Sequence, residues 1–277
     1  MSVLVARALF SHVKPQFSLP HGVTPNLILD DPKTVTPITD AHSVLHAQSE
    51  LCLDVYDVEP RLSFLPIQVF TSMVRVASRC SICIIGYLTP EGSIPSEDQT
   101  FFAWAHSDHD LTQATIEFVA THFEEVRPHV FSDAFSRFSN AFRLHNVALS
   151  TQNSDLALLG FVGALESLFS VSTQELSFRL SLLLANFLGA TTAEQKGYFA
   201  RAKDLYKIRS KISHGDKIAQ DEERSAIQLA EHWVPEAEEL SRLTLRAVIG
   251  QRLIDTFNSK ARHEEFLDDL LFRPMNS

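Results

Sequence analysis

The sequence predicts a mainly α protein in which a C-terminal helical bundle is preceded by a smaller α+β N-terminal region. Ten of the twelve prolines lie before residue 130, and each fixes φ and removes a backbone donor, so regular helices are rare there. From Phe131 onward, apolar residues recur at three- and four-residue steps, the period of a helix with one face inward. At 277 residues, with 45% hydrophobic and 21% charged, the chain is long enough to bury ordinary cores without covalent staples. We divide it into an N-terminal region of unassigned role (1–128), a helical bundle (129–250) and a helical extension (251–277), with the first boundary at Arg127–Pro128.

Five prolines between Pro15 and Pro37 predict loop and extended chain over the first forty residues. Leu51 to Tyr56 alternates like a short strand, Ile67 to Ala77 reads as a helix, and Cys80 to Leu88 as a buried strand. Asp110 is placed to cap a helix that runs to about Val126, with Pro128 marking its end.

The first bundle helix carries Phe131, Phe135, Phe138, Phe142 and Leu149 on one face. A second, behind Ser154, carries Leu158, Phe161, Val162, Leu165, Leu168 and Phe169. A third, from about Gln174 to Phe187, turns Leu176, Leu180, Leu183, Leu184 and Phe187 inward and ends at Gly189, where a left-handed residue is cheapest. The fourth, Ala193 to Ser213, places Tyr198, Ala202, Leu205, Ile208 and Ile212 inward, with Gly215 closing it. A fifth starts near Asp221 and is kinked or restarted at Pro235. One more amphipathic helix follows Gly250.

Cys52, Cys80 and Cys83 form an odd set without framework spacing, and the N-terminus lacks a basic segment followed by an apolar one, which favours a reducing cytoplasm. The most apolar stretch, Phe64 to Leu88, contains Arg75 and Arg79, so no membrane span is expected. A net charge of −10 argues against coating nucleic acid by bulk electrostatics. That charge is uneven: residues 1–131 hold 15 acidic against 7 basic side chains, whereas Lys196 to Lys217 holds seven basic against two acidic. One local site for RNA is compatible with this pattern.

The informative segment is Leu205-Tyr-Lys-Ile-Arg-Ser-Lys-Ile-Ser-His-Gly, at the end of the fourth helix. The spacing of Arg209 and His214, followed by Gly215, resembles the R-x4-H signature of HEPN domains, specifically the Apea-like group. Ala164-Leu-Glu-Ser-Leu-Phe and Glu175-Leu-Ser-Phe-Arg-Leu resemble that group's two other marks in the right order, so the likeness covers roughly residues 131–250. It implies a HEPN-type bundle that forms a homodimer, lines one cleft with Arg209 and His214 of both protomers, and cuts RNA without a metal or other cofactor, as a defence or toxin-like effector. Departing from many HEPN nucleases, which carry Asn, Asp or His there, the residue after the arginine is Ser210.

The chemistry of these residues fits that expectation. RNA carries its own nucleophile, the 2′-hydroxyl, so a protein need only move protons and stabilise charge. Histidine exchanges protons near neutrality, and arginine offers a permanent planar cation to phosphorane oxygens. A 2′,3′-cyclic phosphate is the expected product. Five positions on an ideal helix rotate about 140°, however, so Arg209 and His214 converge only if the last turn unwinds or a partner's His214 completes the cleft. Glu166 sits on an apolar helix face and needs a cation, Arg209 or Arg179. Tyr206 and Lys207 could hold a phosphate from the rim, and Lys203, Lys207 and Lys211 form a basic stripe for RNA.

Plainer readings stand beside these. Arg209 can be a solvated cation and His214 a charge at a helix C-terminus; the lysines can be a solubilising face; Glu166 can be a lock between helices. The whole bundle can be a non-catalytic HEPN module that binds RNA, a nucleotide or a protein, with a regulatory ligand or partner at the acidic N-terminal region. Cys80-Ser-Ile-Cys83 has no second pair for a zinc set. His106-Ser-Asp-His109-Asp reads as a loop before a cap, and His263-Glu-Glu-Phe lacks a zincin's second histidine.

Overall fold

The computed structural model describes residues 4–11, 27–30, 51–56, 64–79, 83–89, 92–95, 111–130, 136–170 and 176–272, and this described chain is mainly helical. It falls into two units, Met1–Arg127 and Pro128–Ser277. In the first, strands β1 (Leu4–Ser11), β2 (Leu27–Asp30), β3 (Leu51–Tyr56), β4 (Cys83–Thr89) and β5 (Gly92–Pro95) pair in the order β2-β3-β1-β4-β5. All pairs are antiparallel, with Leu9 opposite both Cys52 and Gly86.

Helix α1 (Phe64–Ala77) is apolar nearly all round, and Ile67, Val69, Phe70, Met73, Val74 and Val76 are fully buried. A helix of that composition belongs inside a core. Its buried Thr71 is satisfied by donating to the carbonyl of Ile67 at 2.8 Å. Helix α2 (Gln113–Val130) continues past the expected end near Val126 and includes Pro128. A proline in the last turn removes one ladder bond where few remain, which is why it bends the rule without stopping the helix. The amide of Thr115 donates to Thr112 Oγ1 at 3.2 Å, so Thr112 caps this helix; Asp110 lies outside the described residues.

The second unit is a helical bundle. Helix α3 (Arg137–Leu149) is capped by Ser136, whose side chain accepts from the amide of Ser139; Phe138, Phe142 and Leu149 are buried, while Phe131 and Phe135 lie outside the described residues. Helix α4 (Ser154–Phe169) buries all six residues of its expected stripe. Helix α5 (Leu176–Leu188) buries Leu180, Leu183, Leu184 and Phe187. Gly189 is not left-handed, contrary to expectation: the positive-φ residues described are Arg252 and Gly215. A glycine is needed there for a different reason, because a Cβ would stand 2.7 Å from the amide nitrogen of Gln195.

Helix α6 (Thr192–His214) opens with a capping box between Thr191 and Glu194 and runs unbroken to Gly215, which is left-handed at φ 72°. Ala202, Leu205 and Ile208 are buried, but Tyr198 and Ile212, expected inward, are half-buried. With 23 residues, α6 is about 34 Å long, and its last buried residue is Ile208.

The fifth helix is three pieces. Helix α7 (Glu222–Gln228), capped by Asp221, buries none of its residues. It leads into a π-helical turn, Leu229–Trp233, where the amide of Val234 reaches back five residues to the carbonyl of Leu229. Helix α8 (Val234–Gly250) follows with no break in helical backbone and carries Pro235 in its first turn, so the ladder bond that proline cannot make falls beside the π turn. Helix α8 buries Leu240, Leu245, Val248 and Ile249 and packs on α3, α4, α5 and α6.

The single amphipathic helix expected after Gly250 is split at Ser259 into α9 (Ile254–Asn258) and α10 (Lys260–Leu271). The two pieces close the bundle through aromatic rings. Phe257 meets Phe169, Phe187 and Phe266 at centroid distances of 6.0, 6.4 and 5.5 Å, edge-on contacts each worth about 0.5–1.5 kcal/mol beyond burial. Among the described residues no helix is long and apolar enough to cross a membrane.

Candidate functional site

Glu166 lies in the last turn of α4, and that turn is held from two sides. The amide of Ser170 donates to the carbonyl of Glu166. From α3, Arg137 Nη1 donates to the carbonyls of Ser167 and Ser170 at 3.1 and 2.8 Å. From α10, His263 Nε2 donates to the carbonyl of Leu168 at 2.6 Å. Carbonyls at a helix C-terminus have no partner within the helix, so cations and N–H donors are favoured there. Arg137 and His263 belong to no motif, and periodicity alone passes over them.

Arg209 projects from α6 onto this turn. Its Nε is 3.4 Å from Glu166 Oε1 and its Nη2 is 3.5 Å from Oε2, with the two side chains 33% and 19% exposed. Burial pushes the Glu166 carboxyl above the ordinary range, and Arg209 partly offsets that. Of the two cations considered for Glu166, Arg209 forms the ion pair; no such pair with Arg179 is found among the described residues. The guanidinium also lies 5.7 Å from the centre of the Tyr206 ring, within range for a cation–π contact.

His214 is on another surface. It is exposed, and the helix stays regular up to it because the Gly215 amide bonds to Ile212 and the Asp216 amide to Lys211, a left-handed closure that satisfies the final carbonyls. The last turn therefore does not unwind, and within one chain Arg209 and His214 remain about 140° apart around α6. Ser210 is half-buried between them.

The basic stripe is redistributed. Lys203 and Lys207 are exposed, but Lys211 is half-buried and donates to the carbonyl of Ile218 at 3.5 Å, tying down the loop after α6. Arg201 is engaged by Glu236 and Glu239 of α8, and Lys217 stands 3.8 Å from Glu222. Among the described residues no cluster of His, Cys, Asp or Glu is arranged to hold a metal; Cys80, His106 and His109 lie outside them.

The chain matches no family model, no curated protein and no solved structure. The likeness to HEPN domains accordingly rests on this chain's own residues. Two of the three stretches that carry it, 43 positions apart at Glu166 and Arg209, meet in space. The third meets α6 as well, through Phe178 against Phe199 at 5.7 Å.

Proposed function

We propose that residues 129–250 are a HEPN-type bundle of the Apea-like group and that two copies together cleave RNA by 2′-hydroxyl attack, without a metal. The supporting observation is the meeting of Glu166 and Arg209 across α4 and α6. It makes one spatial unit of segments recognised separately in the sequence. In this reading Glu166 and Tyr206 hold Arg209, whose cation stabilises the phosphorane, and the partner's His214 exchanges the proton. Because α6 stays regular to its end, each chain supplies half of two sites. The role fits a defence or toxin-like effector in the cytoplasm, with residues 1–128, read as an α+β region, as the place for a regulatory ligand or partner.

The test is incubation of the purified chain with tRNA and total RNA in EDTA, beside a His214→Ala variant. Cyclic-phosphate ends with wild type and none with the variant are expected. Intact RNA at every protein concentration, or equal cutting by the variant, removes the nuclease reading.

A second reading is a non-catalytic HEPN module that binds RNA, a nucleotide or a protein. One observation favours it: Arg209 is already paired within its own chain, which lowers the charge left for a phosphate. Retained RNA binding without cleavage selects it.

A further inference from the structure

Three exposed lysines and the exposed histidine of α6 have a common direction. Lys203 and Lys207 lie seven and eleven positions after Lys196, and His214 eighteen after it; at 3.6 residues per turn these are about two, three and five whole turns. All four side chains are exposed. They form one row roughly 27 Å long at 1.5 Å per residue. None of the four makes an ion pair among the described residues, whereas Arg201 and Arg209, on other faces of the same helix, are each engaged by carboxylates.

Between the lysines the face is small: Gly197 and Ala200 are exposed, and a Cβ at Gly197 would meet nothing within 4 Å. Asp204 flanks the row. The apolar surface beside the row is narrow, half-buried Phe199 against the exposed Phe178 at 5.7 Å. It borders the lysines rather than lying at the centre of a footprint, where a protein partner needs its anchors, and an aromatic edge beside spaced cations suits the bases of a single strand. A polyanion needs only regularly placed cations, since displaced counterions supply the affinity.

We propose that Lys196, Lys203, Lys207 and His214 form a track along which the ribose-phosphate backbone of a single RNA strand lies. This rests on the reading of the chain as directed at RNA, and it places His214 at the end of the track. It adds Lys196, which carries no motif, and removes Lys211, which is tied to the Ile218 carbonyl. A single strand is favoured over a duplex because attack by the 2′-hydroxyl needs a backbone free to turn in line, which a paired A-form helix is not.

The experiment uses the full chain and a labelled 2′-O-methyl oligouridylate, which has no free 2′-hydroxyl and cannot be cut. Binding is followed by anisotropy over a series of salt concentrations, and competition with polyglutamate tests for an acidic protein partner. A variant carrying Lys196→Gln, Lys203→Gln and Lys207→Gln is expected to bind at least about tenfold more weakly. Its plot of log affinity against log salt should be shallower by about 2, at roughly 0.7 per phosphate contact on single strands. Lys260→Gln with Arg262→Gln, on the exposed side of α10, should change neither. The track is overturned if wild type does not bind at low salt, if the triple variant keeps the wild-type slope, or if polyglutamate competes as well as unlabelled RNA. Cleavage of natural RNA, assayed apart, separates the two claims: RNA bound along the row but never cut removes the nuclease alone, and RNA cut equally by the triple variant removes the track alone.

Discussion

The guanidinium of Arg209 stands 3.4 Å from the carboxylate of Glu166, fastening the C-terminal part of α6 to the last turn of α4. The balance at this pair is unequal. Burial raises the Glu166 carboxyl above its usual range by more than Arg209 lowers it, so the ionised form is held at a net cost.

Removing the cation should therefore hurt more than removing the anion. Arg209→Ala leaves a largely buried carboxylate alone and is expected to cost about 1–2 kcal/mol, less than a fully buried pair because both groups retain some solvent. Glu166→Gln should cost less. Urea unfolding of both variants at neutral pH checks the order, and the reverse order would contradict this account of the pair.

Stability should fall on mild acidification, through His263. Its Nε2–H is spent on the Leu168 carbonyl, its Nδ1 has no hydrogen-bond partner among the described residues, and it is fully buried. Burial pushes it below the ordinary value of 6.5, with Arg137 also lowering it. The unfolded chain thus binds this proton more readily than the folded one. The group's contribution is fully present above about pH 6.5 and is lost progressively as pH falls below it, through the lower value of the folded state. Denaturation between pH 7.5 and 5.5 should show a slope that His263→Gln, which keeps an N–H donor, flattens; an unchanged slope would assign the acid sensitivity elsewhere.

Gly215→Ala tests the left-handed closure alone, because a Cβ there meets nothing within 4 Å. The expected loss is about 1 kcal/mol from backbone conformation, or a Tm lower by roughly 2–4 °C. Gly215→Asn should lose less. Equal stability of the alanine variant would mean that α6 does not need this closure.

His214→Ala should leave Tm within error, since the side chain is exposed and makes no hydrogen bond or ion pair among the described residues. If the proposed chemistry is right, it should lower RNA cleavage by about 10²-fold or more. A fall in Tm that matches the fall in activity would make the histidine structural.

Periodicity made the bundle legible because one face of each long helix is apolar: every stripe residue of α4 is buried. It was less informative where the cause is not a repeat. Gly189 resembles a left-handed cap in sequence, yet the approach of Gln195, set by the following helix, is what excludes a side chain. Tyr198 and Ile212 have the right spacing yet are only half-buried; Ile212 lies beyond Ile208, the last buried residue of α6, whereas Tyr198 falls between buried Gln195 and Ala202. The break expected at Pro235 was legible, because proline removes a ladder donor, and the π turn falls just before it; the split at Ser259 carries no comparable signal, neither proline nor glycine. For the site, Glu166 could be singled out because a lone carboxylate on an apolar face demands a cation. Arg137 and His263 could not, since their partners are main-chain carbonyls that carry no residue identity.

The π turn at Leu229–Trp233 places one surplus residue in an otherwise continuous rod. Its effect is a phase change: the rotational setting of α7 is uncoupled from that of α8, so substitutions upstream need not respect the core's periodicity. With no side chain of α7 buried, that segment is the natural place to graft a reporter peptide or fluorophore without disturbing the bundle. Deleting one residue from the turn would instead force both segments into a common phase, swinging Asp221 to Gln228 by about 100° around the axis.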